Sequence, residues 1–344
     1  MSKILITGSA GFIGYHLAEV LLKRGENVVG IDSINDYYDP KLKYARLSNS
    51  GIEESSITWH SAVQSSKYEN YKFVRMHLED KDELFELFEK EKFDIVINLA
   101  AQAGVRYSIT HPYSYLQSNL IGFINILEAS RNNAIKHLVY ASSSSVYGQN
   151  DKVPFSEEDR VDNPISLYAA TKRSNELMAH SYSKLYNIPC TGLRFFTVYG
   201  PWGRPDMAPM LFAKAISNDN EIKVFNNGDL MRDFTFIEDI VSGTVLAADS
   251  IPQPTEESKD VPYKIYNIGC SSPVKLMDFI QEIEDALGKD AKKVFLPMQA
   301  GDVYKTYADT SKLEKEVGYK PTVSLHQGIQ NFISWYTSNE NPIK

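Results

Sequence analysis

The segment Ile4-Leu5-Ile6-Thr7-Gly8-Ser9-Ala10-Gly11-Phe12-Ile13-Gly14 constrains this chain more than any other. It reads as a short buried strand, a glycine turn and the start of a helix whose apolar face carries Ile13, Leu17, Val20 and Leu21. Gly8 permits the tight turn, Gly11 lets backbone come close to a pyrophosphate, and Gly14 lets helix and strand pack closely. The first helical turn, with Phe12 and Ile13, then offers unpaired N–H groups and a positive dipole end to phosphates. A second strand candidate ends in Asp32, eighteen residues after Gly14, where a carboxylate accepts hydrogen bonds from an adenosine ribose. A 2′-phosphate would be repelled there, so the expected cofactor is NAD and not NADP. The spacing is GxxGxxG and not GxGxxG, which points to one branch of dinucleotide-binding proteins.

The rhythm begun by that segment continues through the first half. Strand candidates fall at 3–7, 27–32, 72–76, 93–100, 137–142 and 189–196, each nearly continuous in Val, Ile and Leu. Such runs suit strands buried on both faces of a parallel sheet. Helical patterns lie between them, as at Leu84, Leu87 and Phe88. The expected fold class is α/β: a Rossmann-type doubly wound parallel sheet with a smaller C-terminal α+β lobe that binds substrate. Residues 1–196 form the expected NAD-binding domain and 197–344 the smaller lobe, with the stretch about 233–268 a candidate to return to the large sheet. Residues 33–71 are polar and lack periodicity apart from a short helix near 40–47, so they read as a long insertion.

The formal net charge of −8 argues against nucleic acid as the main partner, because phosphate binding needs a clustered basic face. No stretch approaches the roughly 20 apolar residues of a membrane span. Cys190 and Cys270 lie far apart and suggest neither a disulfide framework nor a metal knuckle; no metal is expected. With no signal peptide at the N-terminus, the expectation is a reduced, cytoplasmic protein.

Tyr168-Ala169-Ala170-Thr171-Lys172 opens a long helical pattern that runs to about Tyr186. Residues four apart share a helix face, so phenol and ammonium can lie side by side. Bringing a phenol from about 10 to near neutrality takes roughly 4 kcal/mol of preferential phenolate stabilisation, within reach of Lys172 and a cationic nicotinamide in a partly dry site. Upstream, a strand ends in Ala141-Ser142-Ser143-Ser144-Ser145-Val146-Tyr147-Gly148. A hydroxyl at that strand's C-terminal end can hydrogen-bond a reacting oxygen.

The glycine turn, Asn98-Leu99-Ala100-Ala101-Gln102-Ala103, the serine run and the Tyr168/Lys172 pair together resemble the extended short-chain dehydrogenase/reductase family over essentially the whole chain. Within it, Ala103-Gly104-Val105-Arg106-Tyr107-Ser108 and the run from Arg194 to Met207 resemble UDP-glucuronate 4-epimerases of bacterial capsule and lipopolysaccharide pathways. So do Asn35-Asp36-Tyr37-Tyr38-Asp39, Arg232-Asp233-Phe234-Thr235 and Gly301-Asp302-Val303. The resemblance implies that Ser143 is the catalytic hydroxyl, Tyr168 the base and Lys172 its partner. It places Ala100 near the cofactor ribose and Ser142 near the nicotinamide, and adds Leu78, Ala101 and Gln102 to the cofactor side. Asn119 matches a residue that orients the lysine. Arg232 matches a ligand of the UDP phosphates, and Asp302 one of the uridine ribose. The family often has an Asp near the adenine where this chain has His77, and galactose epimerases an Asn where it has Thr197.

Related dehydratases and decarboxylases carry carboxyl groups where this chain has Ser144 and Ser145. A 4-keto intermediate here can therefore do little but be reduced again. The expected function is C4 epimerisation of a UDP-hexose, foremost UDP-glucuronate. UDP-N-acetylglucosamine or UDP-glucose is the alternative substrate, and a non-catalytic NAD-sensing protein the more distant alternative. For a glucuronate, the expected carboxylate cradle is Thr197 with Ser143, Ser144 and Ser145, helped by Arg204 or Arg106. The expected assembly is a homodimer through helices near 112–133 and 168–186, also by resemblance.

Overall fold

A computed structural model describes residues 1–256, 258–299 and 303–344. Seven parallel strands and one antiparallel edge strand make a single sheet in which β1 (Lys3–Thr7) lies between β2 (Asn27–Asp32) and β5 (Ile95–Asn98). Beyond β2 come β4 (Tyr71–Arg75) and then β3 (Ala62–Gln64), which runs antiparallel at the edge. Beyond β5 come β6 (His137–Ser143), β7 (Cys190–Phe195) and, last, β12 (Tyr263–Ile268). The order reverses between β1 and β5, and that switch point is where an open sheet of this kind leaves room for a ligand.

The central strands are apolar on both faces because both faces are covered. Ile4 and Ile6 of β1, Ile95 and Ile97 of β5 and Val139 of β6 enter one core, under α1 (Phe12–Lys23) and α9 (Ile237–Asp249). Leu5, Val96, Leu138 and Tyr140 enter the other, under α3 (Lys81–Glu91), α6 (Gly122–Asn132) and α7 (Leu167–Tyr186). Period-two alternation thus feeds two helix layers from one run of aliphatic residues.

The stretch between β2 and β4 contains α2 (Lys41–Asn49) and the edge strand β3. Ahead of α6, α4 (Tyr107–Thr110) and α5 (Pro112–Tyr115) lead into one π-helical turn at Leu116–Ile121. After β7 the chain leaves the sheet through β8 (Thr197–Tyr199), which pairs in parallel with β11 (Phe234–Phe236). Around that pair lie α8 (Ala208–Ser217), β9 (Glu221–Val224) with β14 (Lys292–Phe295), and β10 (Met231–Arg232) with β13 (Val274–Lys275). The helices α10 (Leu276–Leu287), α11 (Ser311–Val317) and α12 (Leu325–Thr337) complete this side, and Phe332, Trp335 and Tyr336 of α12 are buried in the first core. The stretch 233–268 starts beside β8 and ends as β12 on the large sheet. Among the described residues no helix is long and apolar enough to cross a membrane.

Candidate active site

At the C-terminal ends of the central strands a cavity of about 1450 Å³ opens. Its floor at one end is the glycine turn. Gly8 has φ +72°, a conformation that side chains disfavour, and a Cβ there would lie 2.9 Å from the Ala100 amide nitrogen at the end of β5. A Cβ on Gly14 would press into the Gly8 carbonyl, so only glycine lets α1 start this close to β1. The Thr7 hydroxyl donates to Asn98 (2.7 Å) and accepts from the Ala100 amide (3.0 Å), which locks the two strand ends together. The resulting cradle, with α1 aimed at it, is shaped for backbone to touch a diphosphate.

Asp32 closes this end. Its carboxylate accepts from the amides of Ala10 (3.2 Å) and Ile34 (2.8 Å) and lies 3.5 Å from the Lys43 ammonium. Lys43 is a buried cation from α2, also bonded to Asn35 at 2.8 Å. The sequence reading did not single it out, since nothing in the polar insertion distinguishes one lysine from its neighbours.

The reacting end is built where α7 crosses the end of β6. The hydroxyl of Ser166 caps α7 by accepting from the Ala169 amide at 3.1 Å, which places Tyr168 in the first turn. Lys172 follows one turn later, and its ammonium donates to the Ala141 carbonyl at 2.8 Å. The Tyr168 phenol lies beside Ser143, which favours its ionised form, and the Ser143 hydroxyl accepts from the Ser145 amide (3.2 Å) and hydroxyl (2.9 Å). Burial pushes the phenol above its ordinary range, opposed by Ser143 and by the Arg204 charge. Burial also pulls the Lys172 ammonium down to about 8. The lysine therefore steadies β6 in the protein's own geometry, and Ser143 and Arg204 are what favour the phenolate.

Behind the cavity wall stands a buried ion pair. Arg194 of β7 grips Glu176 of α7 through two bonds (2.8 and 2.9 Å), and Glu176 also accepts from Ser142 at 2.6 Å. Arg194 further donates to the Tyr147 hydroxyl at 3.0 Å. These links bind α7, β6 and β7 into one block under Ser143.

The cavity brings together almost all the residues singled out from the sequence. Gly8, Gly11, Phe12, Ile13, Gly14, Asp32, Leu78, Ala100, Ala101, Gln102, Ser142 and Lys172 line it, as do Arg106, Ser143, Ser144, Ser145, Tyr168, Thr197, Arg204 and Arg232. Asn119 does not reach the cavity wall. It sits buried in the π-helical turn, where it bonds both backbone groups of Gln102 and the Thr171 hydroxyl, so it holds the residue beside Lys172 and not the ammonium. Asp302 lies outside the described residues. Two cations expected at a sugar carboxylate are engaged within the protein. Arg204 forms a two-bond ion pair with Asp206, and the Arg106 guanidinium lies 5.5 Å from the centre of the Phe225 ring.

The pattern of the NAD dependent epimerase/dehydratase family matches residues 4–269. Protein CapI of Staphylococcus aureus is 51% identical over 343 residues, with 97% of this chain and 98% of that protein covered. A probable UDP-glucuronate 4-epimerase of Rhizobium meliloti is 44% identical over 349 residues, at 98% and 97% coverage. The solved structure of the UDP-glucuronic acid 4-epimerase from Bacillus cereus, in complex with UDP-glucuronic acid and NAD, matches with a TM-score of 0.84 at 34% identity. That match spans 97% of this chain and 98% of the other.

Proposed function

This chain belongs to the NAD dependent epimerase/dehydratase family, and on that premise we propose that it interconverts UDP-glucuronate and UDP-galacturonate by inverting C4, with one NAD kept bound. One observation carries the reading: a dinucleotide cradle, a Ser143/Tyr168/Lys172 cluster and the Thr197/Arg232 wall share a single cavity. The relatives of Rhizobium and Bacillus, named for this reaction, support the choice of sugar.

The residues fit NAD: the crowded glycine turn leaves room for a diphosphate and no side chain, and Asp32 excludes a phosphate on the ribose. The amides of Phe12, Ile13 and Gly14 would hold the diphosphate, Asp32 and Lys43 the adenosine ribose, and Ala100, Ala101, Gln102 and Ser142 would line the path to the nicotinamide. When bound, NAD supplies the acceptor and later the donor for the C4 hydrogen. Tyr168 takes the proton of the 4-hydroxyl, Ser143 hydrogen-bonds the same oxygen, and Lys172 holds the end of β6 against the helix that carries the phenol. Arg232 would hold the UDP, so the 4-keto sugar can turn about its diphosphate and take hydrogen on its other face. The smaller lobe, residues 197–344 apart from the stretch that returns to the large sheet as β12, carries that UDP-sugar contact.

A keto group at C4 of a glucuronate makes a β-keto acid, which loses CO2 when its C–CO2 bond aligns with the ketone π system. Short donors prevent this by fixing the carboxylate's rotation. Thr197 and the Ser143–Ser145 hydroxyls are the donors we assign to this role, with Arg204; that they line one cavity supports it. The setting is the cytoplasm, in keeping with two cysteines that carry no disulfide. The assembly is a homodimer: Leu116, Ile121, Leu177 and Leu185 expose apolar side chains along the π-helical turn and α7.

The test is to incubate the purified protein separately with UDP-glucuronate, UDP-N-acetylglucosamine and UDP-glucose, following the anomeric NMR signals. Conversion of UDP-glucuronate to UDP-galacturonate, faster than either neutral sugar, is expected. Turnover of a neutral sugar alone would replace this reading.

A further inference from the structure

At one edge of the cavity three segments far apart in sequence meet on a single ion pair. The guanidinium of Arg204 and the carboxylate of Asp206 face each other through two bonds, Nε to Oδ1 at 3.0 Å and Nη2 to Oδ2 at 2.6 Å. The Tyr37 hydroxyl, from the stretch after β2, donates to the same Oδ2 at 3.0 Å. The Tyr37 ring lies 5.6 Å from the guanidinium carbon, and Tyr107 of α4 packs edge-on against it at 4.8 Å. All four residues line the cavity that contains Tyr168 and Ser143. Arg204 thus stands at the reacting end with its charge already matched.

Resting on the reading above, we infer that Asp206 is a specificity-determining residue: an internal carboxylate that competes with the sugar's own carboxylate for Arg204. The chemistry requires such a competitor. During C4 inversion the keto sugar presents first one face and then the other, so a carboxylate on C5 must exchange partners midway. A free guanidinium in a partly dry cavity would grip that carboxylate in a fork and hold the ring in one orientation. Binding strength spent equally on the ground state does not quicken turnover. With Asp206 covering Nε and one edge of Nη2, the sugar meets only the remaining N–H groups. Its charge is balanced while it stays free to leave. Tyr37 keeps Asp206 turned to this task. A neutral hexose makes no such pair and does not sense the competition.

The test measures dissociation constants of UDP-glucuronate and UDP-glucose by calorimetry on the NAD-loaded protein, in a Tyr168→Phe background that stops turnover. Asp206→Asn is expected to tighten UDP-glucuronate about five- to tenfold relative to UDP-glucose, because a charge-assisted fork becomes available. With Tyr168 restored, kcat and KM for UDP-glucuronate should both fall. Any effect of a freer Arg204 on the Tyr168 phenol leaves the ratio of the two affinities untouched. Equal changes for both sugars, or a looser UDP-glucuronate, would overturn the inference and make the pair a loop brace. Tyr37→Phe leaves the ion pair whole and should move the ratio the same way by about twofold. It decides alone if the Asp206→Asn variant no longer binds UDP. Failure of the unmodified protein to convert UDP-glucuronate would instead defeat the functional reading, which the affinity ratio does not address.

Discussion

Tyr168 and Lys172 carry different loads although they sit one turn apart. Ser143 and Arg204 favour the ionised Tyr168 phenol, and with that phenol as the base Tyr168→Phe should lower kcat at least about 10²-fold while leaving UDP-sugar binding intact. Retention of a tenth of the activity would refute the assignment. Lys172 is a buried ammonium whose proton is held loosely: its range falls from 10.5 to about 8. The sign follows from linkage. Below pH 8 both folded and unfolded chains carry the charge and the folded chain bears the full desolvation cost, roughly 3 kcal/mol. Between pH 8 and 10.5 the unfolded chain binds more protons, so folding gains stability as pH rises. Lys172→Met should therefore be more stable than the parent at pH 7, with the advantage shrinking as pH climbs through that window in denaturant titrations. An advantage that grows with pH would contradict it. Thr197 faces the same cavity, and Thr197→Val should raise the ratio of UDP-4-keto-pentose to UDP-galacturonate as the carboxylate loses a donor.

Elements matter through what they lock. The Glu176–Arg194 pair joins α7 to β7 and, through Ser142, to β6. Arg194→Met removes the buried cation of Glu176 and leaves its carboxylate only the partly exposed Arg173 at 3.0 Å, which should cost about 1–3 kcal/mol in equilibrium unfolding. A loss below about 1 kcal/mol would mean the pair is dispensable. This device was not legible in the sequence, because Glu176 and Arg194 look like ordinary polar residues until a helix and a strand are laid together. The strands that carry the site were legible: β1 and β2 fall at 3–7 and 27–32 as read, since buried parallel strands announce themselves by unbroken aliphatic runs. β3 was not, because three half-polar residues at a sheet edge carry no pattern of their own. Asn119 is expected beside the cofactor as a residue that orients Lys172, but the π-helical turn sets it behind the wall against Gln102 and Thr171, and a π-helical turn has no signature in residue spacing. Arg204 and Arg106 were read as cations facing the sugar. Their partners Asp206 and Phe225 come from loop geometry that no spacing rule reports.

At the scale of the whole molecule the architecture and the site agree. The sheet reverses order between β1 and β5, the cradle and the Ser143/Tyr168 cluster flank that point, and Thr197, Arg204 and Arg232 from later in the chain line the same cavity. A cavity of this kind suits a cofactor that stays, so the protein should retain NAD through purification and consume neither NAD nor NADPH as it turns over. Stoichiometric consumption, followed by nicotinamide absorbance, would rule out a redox-neutral cycle. The most direct test of the central claim uses UDP-glucuronate carrying deuterium at C4. If the hydrogen leaves C4 and returns to it within one closed site, mass spectrometry and NMR will find UDP-galacturonate with the deuterium still at C4, even in ordinary water. Loss of the label to solvent, or its appearance in NAD added to the medium, would contradict the account.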